Sequence, residues 1–194
     1  MSVAGRARPV GALLLTHGAG GHKDQPALVA IEDALAPMPV RRMNFPYRDL
    51  GPKRPPDRAP KLLESIREQS AAFCAEVHVR PPRLALGGRS MGGRMCSMAV
   101  AEGLPAAALV LIAYPLHPPG KPDKLRVEHL PQLTVPCLFV SGTRDPFGTP
   151  DELREATAVI PGPVTHHTVE GKGHDLKGVD DQVAHVIRDW LRSL

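Results

Sequence analysis

The chain has 194 residues and a mass of 20.8 kDa, a length suited to one domain over residues 1–194, and 42% hydrophobic residues supply a core. The formal charge of +4 is spread along the chain, and four Phe, two Tyr and one Trp leave few flat platforms for stacking bases, which argues against a dedicated nucleic-acid binder. Cys74, Cys96 and Cys137 are odd in number and far apart, so neither a disulfide framework nor a zinc-ligand set is indicated.

Short apolar runs at Val10–Leu15, Val40–Phe45, Leu84–Leu86, Ala108–Tyr114, Cys137–Val140 and Val164–Val169 read as strands. Most are continuous rather than alternating, as expected of strands buried on both faces of a parallel sheet. Helical patterns separate them. Gln25 to Leu35 lies between the first two, and Leu62, Ile66, Phe73 and Val77 share one helix face between the second and third. Met91 to Ala101 follows the third, and Pro150 to Ile160 the fifth, with Thr149 or Asp151 as its cap. Val183, Val186, Ile187, Trp190 and Leu194 form a last apolar face. The Pro-rich stretch Arg48 to Pro60 reads as a stiff polar connection. Alternation of strand and helix predicts an open α/β sheet with helices on both sides, whose ligand site lies beyond the carboxyl ends of the strands. No apolar run is long enough to cross a bilayer and the start has no signal-peptide pattern, so the expectation is a soluble cytoplasmic protein without a membrane partner.

The third strand runs into Gly87-Gly88-Arg89-Ser90-Met91-Gly92-Gly93. Gly88, Ser90 and Gly92 make Gly-x-Ser-x-Gly between a strand and a helix, the setting in which a sharp turn thrusts a serine hydroxyl into the crevice. A glycine-rich turn with an ordinary serine, or a loop that cradles phosphate, is the competing reading. A serine nucleophile requires a base and an orienting carboxylate on later strand-end loops. Asp145 stands after the fifth strand and His174 in Gly171-Lys172-Gly173-His174 after the sixth. Asp175 follows no strand and reads as a cap, and His166 and His167 alternate faces inside a strand, without the spacing of metal ligands. Backbone donors for a developing oxyanion fall at Met91 and in His17-Gly18-Ala19-Gly20-Gly21, where Ala19 is favoured over Gly18.

These segments resemble the α/β-hydrolase fold, and more closely its compact dienelactone-hydrolase-like branch, similar to the testis-expressed hydrolase-like proteins and a subunit of the nonspecific-lethal chromatin complex. Besides the segments above, Phe45-Pro46-Tyr47-Arg48, Tyr114-Pro115-Leu116-His117-Pro118-Pro119-Gly120-Lys121-Pro122 and Gly142-Thr143-Arg144-Asp145-Pro146-Phe147-Gly148 carry the likeness. It implies a three-layer sandwich on a mostly parallel sheet of about six strands and a Ser90, Asp145, His174 triad. Dienelactone hydrolases place cysteine where this chain has Ser90, so their lactone chemistry does not transfer. Only Pro115 to Pro136 occupy the usual lid position, too little for a cap domain, which points to an open site for small acyl groups. His17, Gly18, Arg89, Tyr114 and His117 are candidate substrate-binding residues. Arg48, Arg89, Arg94, Lys121 and Arg144 follow strand ends, where they either steer an anionic substrate or form surface ion pairs.

The expected function is that of a serine hydrolase that cleaves carboxylic ester or thioester bonds of a small-molecule acyl substrate without metal or cofactor. The alternative is a hydrolase-fold scaffold that binds protein partners with little or no turnover.

Overall fold

A computed structural model describes residues 9–194. The apolar runs become β1 (Ala12–Thr16), β2 (Val40–Met43), β3 (Leu84–Arg89), β4 (Leu109–Ile112), β5 (Cys137–Gly142) and β6 (Val164–Val169). They pair in parallel in the order β2-β1-β3-β4-β5-β6. Chain order reverses between β1 and β3, so the loops after these two strands diverge and open a crevice at the carboxyl edge.

Helices α1 (Pro26–Leu35) and α6 (Asp180–Arg192) cover one face; α3 (Ala59–Glu76) and α4 (Met91–Ala101) cover the other, joined by α5 (Pro150–Thr157). Side chains alternate across the sheet, and the two cores divide accordingly. Leu14, Leu86, Leu111 and Phe139 face α3 and α4, whereas Leu13, Leu15, Val110 and Leu138 face α1 and α6. Each face exceeds what a single helix could cover, which fixes the three-layer arrangement.

The reading of strands buried on both faces holds for β1 and β4, every residue of which is buried. It fails for β2 and β6. As sheet edges they are mostly half-buried, and Trp190, packed at the margin of the core, donates to Thr165 Oγ1 at 3.2 Å. The sequence also placed the end of β3 too early. Gly87 and Gly88 stay in the strand because the neighbouring chain crowds them: a Cβ on Gly87 would lie 2.7 Å from the Val110 carbonyl oxygen. Conversely β2 stops at Met43, since Phe45 leads into the short α2 (Pro46–Asp49) and Pro46 opens that turn. Between β4 and β5 only one 3₁₀ turn, Leu130–Gln132, interrupts the loop, and no helical cap stands over the crevice. Among the described residues, no helix is long and apolar enough to cross a membrane.

Candidate active site

Ser90 lies between β3 and α4 with φ 53° and ψ −120°, a conformation costing an L-residue about 1–3 kcal/mol. Its N–H donates to the Ile112 carbonyl at 2.8 Å, fixing the turn to β4. Tight packing requires glycine around it. A Cβ on Gly92 would lie 2.5 Å from the His17 carbonyl oxygen, and one on Gly93 2.6 Å from that of Gly88. The serine hydroxyl is thereby held at the carboxyl edge of the sheet.

Two loops from the far side of the sheet meet it there. Arg144 N–H donates to the Lys172 carbonyl at 2.8 Å, and Gly171 N–H to Thr143 Oγ1 at 2.8 Å, so the turns after β5 and β6 are fastened together. Asp145, whose side chain is 1% exposed, lies with Oδ2 2.8 Å and Oδ1 3.0 Å from His174 Nδ1. His174 Nε2 lies 2.8 Å from Ser90 Oγ. Asp145, which also accepts from Phe147 N–H at 2.8 Å, His174 and Ser90 thus form one hydrogen-bonded chain. A carboxylate held this way fixes the imidazole tautomer with its proton on Nδ1 and leaves Nε2 to accept from the serine.

The loop after β1 faces the same serine. A Cβ on Gly18 would stand 3.4 Å from Ser90 Cβ, so a larger residue would intrude beside the nucleophile turn. The Gly18 carbonyl is turned inward, 2.7 Å from His17 Nδ1 and accepting from Gly21 N–H at 3.0 Å. In a trans peptide the N–H points opposite to the carbonyl, so the Ala19 N–H is turned outward. The Ala19 carbonyl accepts from Tyr47 Oη at 2.8 Å and Arg48 Nη2 at 3.1 Å, which holds the next peptide in place.

A family model described as an alpha/beta hydrolase domain matches residues 9–186. The chain belongs to that family. Solved structures agree at the level of fold. Est1E from Butyrivibrio proteoclasticus superposes with a TM-score of 0.74 at 16% identity, covering 97% of this chain and 89% of that one. A protein described as a hydrolase of the α/β superfamily from Xanthomonas campestris gives 0.69 at 20% identity, with 95% and 99% covered. The esterase domain of a Rhodothermus marinus protein gives 0.70 at 18% identity, with 99% and 90% covered.

In this α/β hydrolase, three side chains expected to line the pocket are instead built into its walls. His17 is fully buried; Phe45 N–H donates to its Nε2 at 3.1 Å, and burial pushes its pKa below the usual histidine value. Neutral His17 therefore ties the Gly18 turn to the end of β2. Tyr114 is 3% exposed, packs edge-on against Phe139 and donates to the Arg126 carbonyl at 2.8 Å. His117 is 5% exposed, with Nδ1 2.9 Å from the Pro118 carbonyl and Nε2 3.7 Å from Glu152. Apolar strand-end context, rather than contact with open space, explains all three. Arg89 is half-buried and donates to the His174 carbonyl at 3.0 Å, so it braces the loop that carries the imidazole.

Phe147 escaped the sequence reading as a site residue. Its ring stacks on that of His174, centroids 4.1 Å apart and 29° between planes. An aromatic residue two positions past the acid, in a turn beginning Asp-Pro, is the signal that marks it. Of the rival histidines, His166 stacks on Phe139 and lies 3.0 Å from Thr157 Oγ1, a structural position. Among the described residues no group of three or more His, Cys, Asp or Glu side chains is arranged to hold a metal ion.

Proposed function

We propose that this α/β hydrolase is a serine hydrolase of carboxylic ester or thioester bonds in small acyl substrates. The observation that carries the reading is the unbroken chain from Asp145 through His174 to a strained, turn-borne Ser90, with both links at 2.8 Å. Ser90 Oγ attacks the acyl carbon and its proton passes to His174 Nε2, while Asp145 stabilises the imidazolium. The N–H groups of Ala19 and Met91 hold the oxyanion. The tetrahedral intermediate collapses as His174 returns the proton to the departing alkoxide or thiolate, leaving an acyl-serine. Water, deprotonated by His174, then attacks that ester; the second intermediate expels Ser90, which recovers its proton.

The uncapped β4–β5 connection supports small acyl groups. Placement in the dienelactone-hydrolase-like branch belongs to the same proposal and rests on the motifs around Ala19, Ser90, His117 and Asp145. A cytoplasmic location accords with three buried cysteines, none of them disulfide-bonded. The test is hydrolysis of 4-nitrophenyl esters of increasing acyl length. Acetate and butyrate should turn over, long chains poorly, and Ser90→Ala should lower kcat at least ~1,000-fold. Unchanged turnover in Ser90→Ala overturns the mechanism; an inert but ligand-binding protein favours the scaffold reading.

A further inference from the structure

Half-buried arginines in this protein divide into two groups. Arg41, Arg42, Arg67 and Arg188 each meet a carboxylate. Arg48, Arg83 and Arg89 donate to backbone carbonyls instead, and Arg94 and Arg126, equally half-buried, likewise meet no carboxylate among the described residues, the Arg94 side chain making no hydrogen bond there at all. Partly buried positive charge without a counter-charge is costly, and two such groups together more so. The pair is nonetheless held in position on both sides.

Arg94 is the fourth residue of α4, and its N–H donates to the Ser90 carbonyl at 3.1 Å, one turn from the hydroxyl. Helical side chains lean toward the N-terminus, which directs Arg94 toward the carboxyl edge of the sheet. Its Nε is fully buried and has no hydrogen-bond partner. Arg126 is brought back across the loop after β4: its N–H donates to the Leu116 carbonyl at 2.8 Å, its carbonyl accepts from Tyr114 Oη at 2.8 Å, and Nη1 donates to the Pro115 carbonyl at 3.3 Å. Ser97, on the next turn of α4 from Arg94, lies with Oγ 2.7 Å from His129 Nε2, so this side of the helix packs against the segment that carries Arg126. Burial acts first on the Tyr114, Arg126 and His129 pKa values, and the Arg94 charge in turn holds each of them down. A guanidinium has five donors, and Arg126 uses one in this way, so free donors remain on both residues.

We propose that Arg94 and Arg126 bind a carboxylate carried by the acyl group, making half-esters or half-thioesters of short dicarboxylic acids the preferred substrates. The proposal rests on the serine-hydrolase reading for its chemistry but not for its binding. Along α4 the backbone of Arg94 stands about one helical turn, ~5 Å of rise, beyond that of Ser90, and its side chain leans back toward the serine, which suits a short spacer between the two carbonyl groups. Arginine forks match carboxylates in two-pronged geometry, whereas a lysine supplies only a point charge.

The experiment compares 4-nitrophenyl hemisuccinate with the neutral 4-nitrophenyl ester of monomethyl succinate. The expected ratio of kcat/KM is at least about tenfold in favour of the anion, the worth of one charge-assisted pairing. Arg94→Gln and Arg126→Gln should each bring the ratio toward one, Arg94→Lys should keep part of it, and Arg67→Gln, which touches Glu102 elsewhere, should keep all of it. Equal rates on the two esters, or a preference indifferent to both glutamine variants, overturn the proposal while leaving the hydrolase reading in place. If neither ester is cleaved, calorimetric binding of monomethyl succinate to Ser90→Ala decides. Binding that Arg94→Gln removes supports the anion site, and absence of binding overturns it.

Discussion

Ser90 adopts a backbone angle that its own side chain disfavours, and the contacts around it show why the turn persists. Gly88, Gly92 and Gly93 leave no room for a Cβ, so β1, β3 and α4 approach at backbone distance and leave the serine no alternative. Gly92→Ala, with its Cβ 2.5 Å from the His17 carbonyl oxygen, should cost about 3 kcal/mol of stability, measured by urea unfolding. Phe147 makes a different prediction. Phe147→Ala keeps the backbone N–H that serves Asp145 but removes the ring stacked on His174. It should lower kcat by up to about tenfold, the free energy of an aromatic contact, with a much smaller effect on KM. That Ser90, Asp145 and His174 would be brought together was legible in the sequence because each stands just past a strand end, of β3, β5 and β6. The burial and backbone partners of His17, Tyr114 and His117 were not legible, because polar groups in apolar strand-end loops serve the backbone as readily as a ligand. Only the direction of their hydrogen bonds separates the two uses.

At the scale of elements, punctuation residues marked starts better than ends. Thr149 was one of two candidate caps for α5, and it forms a full capping box: Glu152 N–H donates to Thr149 Oγ1 at 3.3 Å and Thr149 N–H to Glu152 at 2.8 Å. Thr149→Ala should therefore cost about 1 kcal/mol and lower the thermal midpoint by about 3 °C. Helix α5 ends at Thr157, short of the expected Ile160, because Pro161 disfavours helical backbone at Ile160 and the chain closes in a turn, Ile160 N–H donating to the Thr157 carbonyl at 3.0 Å. The edge strands were not distinguishable from central ones by sequence, since an apolar run records affinity for a sheet and not its position within it. Strand order likewise was not legible; only the site's place at the switch between β1 and β3 makes it visible.

Across the whole molecule, burial lowers the pKa of three of the described histidines, His17 being fully buried and His129 and His166 half-buried. Burial is the leading cause of lowered pKa values for His17 and His166, and for His129 it depresses the value to about 4 with the Arg94 charge next. In the unfolded chain these side chains titrate near 6.5, so below that value the unfolded state binds more protons and stability falls. Calorimetry at pH 7.5 and 5 should show a lower thermal midpoint at pH 5, and His129→Gln should narrow the gap. An identical gap in that variant would remove His129 from the account. Burial also pushes Cys96 and Cys137 up to about 12 and raises Cys74. Native protein at pH 8 should therefore leave dithiobis-nitrobenzoate almost unreacted, whereas unfolding should release all three thiols.

Exposure to a fluorophosphonate followed by peptide mapping by mass spectrometry shows whether the folded molecule turns Ser90 into a nucleophile through His174 and Asp145. One phosphonyl adduct is expected on Ser90 in the native protein, none in Ser90→Ala, and labelling slowed at least about 100-fold in His174→Ala. A native protein that stays unlabelled, or that labels equally fast without His174, would contradict that activation.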